Sequence, residues 1–212
     1  FFGYCDEGGF FPNKLNQFDI CEIINEGILK SQLVPNKDLG ISIDVAASNF
    51  YNESNYNLYN EKIDKIELGN ILSKLINEFN VSLIEDPFNE EDFDSFALLK
   101  KQHTKSVKII GDDLVCSNYA LLDKAIQNKC IDGIIVKINQ CGTISETLET
   151  INLAKKNNIQ TILSARSGDT EDVFLSHFAV AWDVDMIKVG SFSRSERTSK
   201  WNELVRIEEK LN

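Results

Sequence analysis

The sequence predicts an α/β protein built on parallel strands, and three observations carry that reading. Strand-like apolar runs begin at 41, 81, 107, 133, 161 and 186, and from 81 onward each is followed by an amphipathic segment. The repeat is about 25–28 residues, the spacing of parallel strands joined by crossover helices. Five of the runs end in a charged residue, three in an acid and two in a lysine. Such a sheet is either open and doubly wound or part of a (β/α)8 barrel, and both place function at the carboxyl ends of the strands. Six strands are countable and a barrel closes with eight, so the barrel reading puts at least two strands before residue 1.

In chain order, Asp6-Glu7-Gly8-Gly9 reads as a tight turn that exposes two acids. Ile41-Ser42-Ile43 is the first strand and ends at Asp44. Leu68, Leu72, Leu75, Ile76 and Phe79 repeat at helical spacing before the run 81–84, which ends at Glu85. The run 107–111 ends at Asp112, and Leu121, Leu122, Ala125 and Ile126 mark a helix capped by Ser117-Asn118. The run 133–136 ends at Lys137; Ile144, Leu148 and Ile151 mark the next helix, opened by the capping-box pattern Thr143-x-x-Glu146. After the strand 161–163, the turn Ser164-Ala165-Arg166-Ser167-Gly168-Asp169-Thr170 is expected to open a helix at Thr170. Met186-Ile187 ends at Lys188, and Trp201, Leu204, Val205 and Leu211 mark the last helix.

If the strands are neighbours, Asp44, Glu85 and Asp112 converge at one edge of the sheet. Three such carboxylates repel one another unless a hard divalent cation lies between them, and all-oxygen ligands suit Mg²⁺ or Mn²⁺. Taken alone, each acid reads as a turn or cap residue; the joint reading rests on the two strands that end in lysine. A lysine beside a divalent cation and a second lysine can shed its proton and act as a base. Such a base removes a weakly acidic proton beside a carboxylate while the metal stabilises the ene-diolate. The loop 164–170 leaves two readings open, an anion site at a helix N-terminus and a helix cap with a solvated Arg166. His103 and His177 have no partner spacing and read as structural.

Composition sets outer limits. With 33 acids against 22 bases the net charge is −11, which argues against nucleic acid or an anionic membrane surface as partner. It leaves room for a small anionic substrate, since a metal and a few cations can reverse the field in one cleft. No apolar run approaches the roughly 20 residues that span a bilayer. No signal peptide is visible, although the chain opens without Met. Five cysteines without CxxC spacing read as reduced thiols in a cytoplasmic protein.

Several ordered motifs resemble the enolase (phosphopyruvate hydratase) family: Asp6-Glu7-Gly8-Gly9-Phe10 with Pro12-Asn13, Asp44-Val45-Ala46-Ala47-Ser48, Ile84-Glu85-Asp86-Pro87-Phe88, Gly111-Asp112-Asp113-Leu114, Val136-Lys137-Ile138-Asn139-Gln140, Arg166-Ser167-Gly168 with Thr170-Glu171-Asp172, Ile187-Lys188 with Gly190, and Arg194-Ser195-Glu196-Arg197. The resemblance implies that residues 1–212 are part of a C-terminal (β/α)8 barrel whose first strands, and a smaller α+β domain before them, are missing here. It implies that Lys137 takes the C2 proton of 2-phosphoglycerate and that Glu7 assists departure of the C3 hydroxyl. Asp44, Glu85 and Asp112 would ligate the tighter Mg²⁺, with a second Mg²⁺ joining with substrate. Arg166 and Ser167 would hold the phosphate and Lys188 the carboxylate. Lysine paired with one or two Mg²⁺ ions is the arrangement already known from enolase-superfamily sites. The resemblance also implies a homodimer when full length, with Arg206 similar to an interface residue.

One departure bears on function. The family typically has Ser-His-Arg-Ser-Gly, and this chain has Ser164-Ala165-Arg166-Ser167-Gly168. A methyl cannot donate a hydrogen bond or hold a proton near the phosphate. Cys5 also stands where a Gly usually precedes the Asp-Glu-Gly-Gly turn. Three readings follow: enolase activity, a paralogue acting on a related phospho- or phosphono-carboxylate, and a non-catalytic binding protein on the same scaffold. An unclosed barrel is further expected to fold poorly by itself, because its sheet edges and apolar helix faces lie open.

Overall fold

A computed structural model describes residues 3–12, 14–104 and 106–212. Of the motifs above, only Asn13 lies outside them. In chain order the elements are α1 (Gln17–Lys30), β1 (Ser42–Asp44), a 3-10 turn (Ala47–Phe50), β2 (Tyr51–Asn52), β3 (Asn55–Leu58), β4 (Glu61–Ile63), α2 (Lys65–Phe79), β5 (Leu83–Glu85), α3 (Phe93–Gln102), β6 (Lys108–Gly111), α4 (Tyr119–Gln127), β7 (Gly133–Val136), α5 (Ile138–Cys141), α6 (Ile144–Lys156), β8 (Gln160–Ser164), α7 (Phe174–Ala181), β9 (Met186–Lys188) and α8 (Ser195–Leu211).

The six expected strands form one parallel sheet in the order β1-β5-β6-β7-β8-β9. It is curled, an incomplete barrel rather than an open doubly wound sheet. The curl shows in one contact: Lys188, at the end of edge strand β9, reaches Asp44 at the end of the opposite edge strand β1.

Strand periodicity sorts the side chains. Leu83, Ile110, Ile135, Ile162 and Met186 form one apolar layer on the inner face. Ile84, Ile109, Ile134 and Leu163, each one position away from an inner-layer residue on its strand, belong to the larger cluster between sheet and helices. Because side chains alternate with period two, the next inward residues are Glu85, Asp112, Lys137, Ser164 and Lys188. The alternation that fills the barrel floor therefore delivers the charged set to its rim.

The helices cover the outer face. In α2, Leu68, Leu72, Leu75 and Ile76 are buried, each such side chain contributing about 1.5–3 kcal/mol. Asp64 caps α2 in a reciprocal box with Glu67. Asn118 caps α4 by accepting from Ala120 and Leu121, as the sequence predicts. At α6, Thr143 Oγ1 accepts from Glu146 N, but the Glu146 carboxylate bonds the Thr143 hydroxyl, so only half the box forms.

The helices marked at 144–151 and 201–211 form as expected, though not every residue that marks them is buried, and one expectation, the start of the helix after 164–170, needs correction. The buried face of α6 is Thr147, Thr150, Ile151 and Ala154, and Ile144 is exposed. The buried residues of α8 are Arg197 and Lys200, while Val205 and Leu211 face outward. The helix expected from Thr170 begins at Phe174. Side chains between them take up the local backbone: Asp169 Oδ1 accepts from Thr170 N (2.7 Å) and Asp172 Oδ1 from Phe174 N (2.8 Å). Such local bonds compete with helical ones.

Candidate active site

The rim of the curled sheet gathers the charged residues predicted from sequence. Lys188 Nζ lies 2.8 Å from Asp44 Oδ2 and 2.7 Å from Glu85 Oε1. Lys137 Nζ is paired with Asp112 Oδ2. Asp44 and Glu85 are register partners across β1 and β5. Burial pushes the Glu85 carboxyl up to about 8, opposed by Lys188 and helped by Asp44. Burial works against the charge on Lys188, but Glu85 and Asp44 outweigh it and hold the ammonium above its ordinary value. The second direction carries more weight, because two carboxylates face one cation at hydrogen-bond distance.

The donor chemistry fits a hard divalent cation. Asp44, Glu85 and Asp112 offer oxygen only. Asp112 Oδ1 is buried without a hydrogen-bond partner, a costly state that a cation would relieve. Among the described residues, no three such side chains are already drawn together as a metal cage. The two lysines sit among these carboxylates and bond them instead, so the residues fit a cation only once the lysines turn outward.

Two supports escaped sequence reasoning. Asp86 is buried with φ +42°, and its oxygens accept from Asp112 N (2.9 Å) and Asp113 N (2.7 Å). It thereby fixes the turn that carries Asp112. Burial raises its carboxyl to about 7 in spite of those two donors. Ser117 Oγ accepts from Lys137 N (2.8 Å) and donates to Gln140 (2.9 Å), which fixes the backbone under the lysine. Asp86 stood in a quoted motif, and Ser117 in a predicted cap, but nothing local reveals a partner tens of residues away.

The remaining residues are less closely gathered. Glu7 and Ser167 line one cavity of about 480 Å³ with Cys5 and Gly190. Arg166 lines a separate one of about 180 Å³, where Nη1 donates to Asn139 Oδ1 (2.7 Å). Neither cavity includes the carboxylate–lysine cluster. The loop 164–170 is not at a helix N-terminus, so that ground for an anion site falls; the side chains of Arg166 and Ser167 are what remain. Ala165 is buried and packs with the helix-facing cluster. His103 bonds Ser73 (2.9 Å) and His177 lies 3.1 Å from Glu203. Arg206 pairs with Glu203 on its own helix (2.9 Å).

The family described as enolase, C-terminal TIM barrel domain, matches residues 3–212. The chain belongs to the enolase family. It is 41% identical over 212 residues to an enolase of Lactobacillus helveticus, covering 99% of this chain and 50% of that protein. To enolase 2 of Lactiplantibacillus plantarum it is also 41% identical, covering 99% of this chain and 49% of that protein. An enolase of Ehrlichia canis matches at 41% over 207 residues, 98% of this chain and 49% of that protein. The chain thus spans about half the length of the curated relatives it matches. Membership of the enolase family agrees with the incomplete barrel. Among the described residues, no helix is long and apolar enough to cross a membrane.

Proposed function

We propose that residues 1–212 form one partial barrel domain of an Mg²⁺-dependent lyase that dehydrates 2-phospho-D-glycerate to phosphoenolpyruvate in cytoplasmic glycolysis. The observation that carries this reading is the pairing on one rim of Lys137 with Asp112 and of Lys188 with Asp44 and Glu85. It unites a base, a carboxylate-binding cation and three metal-type ligands.

In this reading Lys188 turns from Asp44 and Glu85 to hold the substrate carboxylate. Ser167 and Arg166 hold the phosphate, Arg166 leaving Asn139 to do so. Lys137 Nζ takes the proton from C2. The electrons of that C–H bond pass into the substrate carboxylate as an ene-diolate, and they return to form the C2=C3 double bond when the C3–O bond breaks. Glu7 supplies the proton with which the hydroxyl leaves as water. Asp44, Glu85 and Asp112 would hold Mg²⁺, a second ion would join with substrate, and the ions would supply positive charge beside the carboxylate. The partner is a small anionic phospho-carboxylate, with neither nucleic acid nor membrane as partner, and the full-length protein acts as a homodimer.

The test follows conversion of 2-phosphoglycerate by ultraviolet absorbance in the full-length protein, with Mg²⁺ and then with chelator. Mg²⁺-dependent turnover abolished by Lys137→Ala is the expected result. Ala165 favours a second reading, a paralogue that enolises a related phospho- or phosphono-carboxylate. Mg²⁺ binding without 2-phosphoglycerate turnover would select it. Absence of metal-dependent stabilisation would select the non-catalytic scaffold.

A further inference from the structure

We propose that Arg197 is a positioning residue that sets the spacing between the loop of Arg166 and Ser167, the strand end of Lys188 and the turn of Glu7. The inference rests on the reading of those residues as the substrate-holding side of the site.

Arg197 lies in the first turn of α8 and is fully buried. A buried guanidinium is costly unless its donors are satisfied, and an apolar residue would fill the same space more cheaply. Nε is buried without a hydrogen-bond partner among the described residues, so the guanidinium keeps part of that cost, and the donors it does use have specific acceptors. Nη1 donates to the Arg166 carbonyl (2.8 Å) and the Val189 carbonyl (3.0 Å), and Nη2 to the Ser167 carbonyl (2.7 Å). Those carbonyls belong to two loops, one after β8 and one after β9, and Val189 directly follows Lys188. A planar fork fixes the angle between its acceptors as well as their distance. The groups expected to hold phosphate and carboxylate are therefore indexed to one side chain.

The third element is seated on the stem of the same arginine. Ser191 N donates to the Glu7 carbonyl (2.8 Å). Gly190 has φ +120°, and a Cβ there would fall 2.6 Å from the Glu7 carbonyl and 2.9 Å from Arg197 Cδ. Glu7, Gly190 and Arg197 are stacked with no room for a methyl between them. One helical turn on, buried Lys200 donates to the Thr170 carbonyl (2.7 Å) and lies 3.3 Å from Asp169, which anchors the far end of the 166–170 loop.

The experiment titrates inorganic phosphate and, separately, Mg²⁺ into the full-length protein by calorimetry, for the wild type, Arg197→Lys and Arg197→Met. A lysine keeps the charge but lacks the planar, two-nitrogen fork that fixes the angle between the acceptors. The Lys variant, with wild-type circular dichroism, is expected to bind phosphate about tenfold more weakly and the Met variant up to about 100-fold, the range seen when supporting groups are displaced. Mg²⁺ affinity should change much less than phosphate affinity, because Arg197 bonds the loops after β8 and β9 and not the strand ends of Asp44, Glu85 and Asp112. The KM for 2-phosphoglycerate should rise with the phosphate constant. Unchanged phosphate affinity, or equal loss of phosphate and Mg²⁺ affinity, overturns the inference. So does failure of both variants to fold, which would make Arg197 a residue of the fold alone, and so does a wild type that binds no phosphate. A wild type that binds phosphate but does not turn over 2-phosphoglycerate sinks the proposed reaction and leaves this inference to the phosphate titrations.

Discussion

Lys188 and Asp44 stand on opposite edge strands of a six-stranded sheet, yet their charged atoms lie 2.8 Å apart. That contact spans the open side of the curled sheet and shares Lys188 between Asp44 and Glu85. Mg²⁺ would claim the same two carboxylates, so lysine and cation act as alternative counterions. Lys188→Met should then lower the melting temperature in chelator, because Glu85 stays buried beside Asp44 without a cation. Mg²⁺ should recover most of that loss, giving a larger Mg²⁺-induced shift than in the wild type in mildly alkaline buffer. Turnover should fall by about 100-fold or more with the loss of a charge that holds the carboxylate. An equal Mg²⁺ shift in both proteins would mean that lysine and metal do not share these ligands.

Lys137 and Glu7 are separable by isotope exchange. If Lys137 takes the C2 proton, Lys137→Ala should lose both turnover and exchange of that proton with deuterated solvent, by about 100- to 10,000-fold. If Glu7 acts only in departure of the hydroxyl, Glu7→Gln should lose turnover while exchange continues. Nuclear magnetic resonance of 2-phosphoglycerate in heavy water reads both. Loss of exchange in the Glu7 variant would reassign that residue to the first half of the reaction.

Asp86 supplies two acceptors to two backbone donors, Asp112 N and Asp113 N. Asp86→Asn leaves one of those amides facing an NH₂ group, a mismatch worth about 1–3 kcal/mol. The turn bearing Asp112 should shift, and Mg²⁺ affinity should fall about tenfold, as for displaced supporting groups at metal sites. Calorimetry beside a thermal melt checks this. A lowered melting temperature with unchanged Mg²⁺ affinity would confine Asp86 to stability.

What the sequence disclosed depended on how local the signal was. The six sheet strands were legible because each is a short, mostly apolar run, five of the six end in a charge, and the central ones, β6, β7 and β8, are largely buried on both faces. The antiparallel sheet β2-β3-β4 was not. Its two-residue turns, Glu53-Ser54 and Tyr59-Asn60, have positive φ at both positions, a conformation usually announced by Asn-Gly or Asp-Gly. Glu, Ser and Tyr gave no such notice. The helix α1 also went unread, although Asn16 and Asp19 form its capping box. In the site, Asp44, Glu85, Asp112, Lys137 and Lys188 were predictable as strand ends. Arg197 and Lys200 were not, since a charged pair in a helix reads as a solvated face until its acceptors are seen.

Ala165 tests which substrate the site was built for. Its methyl is packed in the helix-facing cluster, and its N–H donates to the Lys188 carbonyl (2.9 Å). A histidine there must turn towards the site or overpack the core, at about 1–3 kcal/mol. Under the enolase reading, Ala165→His should raise 2-phosphoglycerate turnover at some expense in melting temperature. Unchanged or reduced turnover in a folded variant would favour the paralogue with a different phospho-carboxylate.

The isolated 212-residue chain should fold poorly. Among the described residues, β1 and β9 are each paired on one side only, which leaves backbone donors and acceptors open along both edges. Phe192 is 78% exposed and Leu211 72%, and with Val180 and Val205 they line an open apolar groove along α8. Ile23, Ile24 and Leu29 leave a second apolar face exposed on α1. Patches of this kind drive association unless covered. Expressed alone, the chain should bind a hydrophobic dye strongly, elute as aggregate and melt without a cooperative transition. A monomer by light scattering with one sharp, reversible transition would show instead that the half-barrel is a folding unit whose open edges are tolerated.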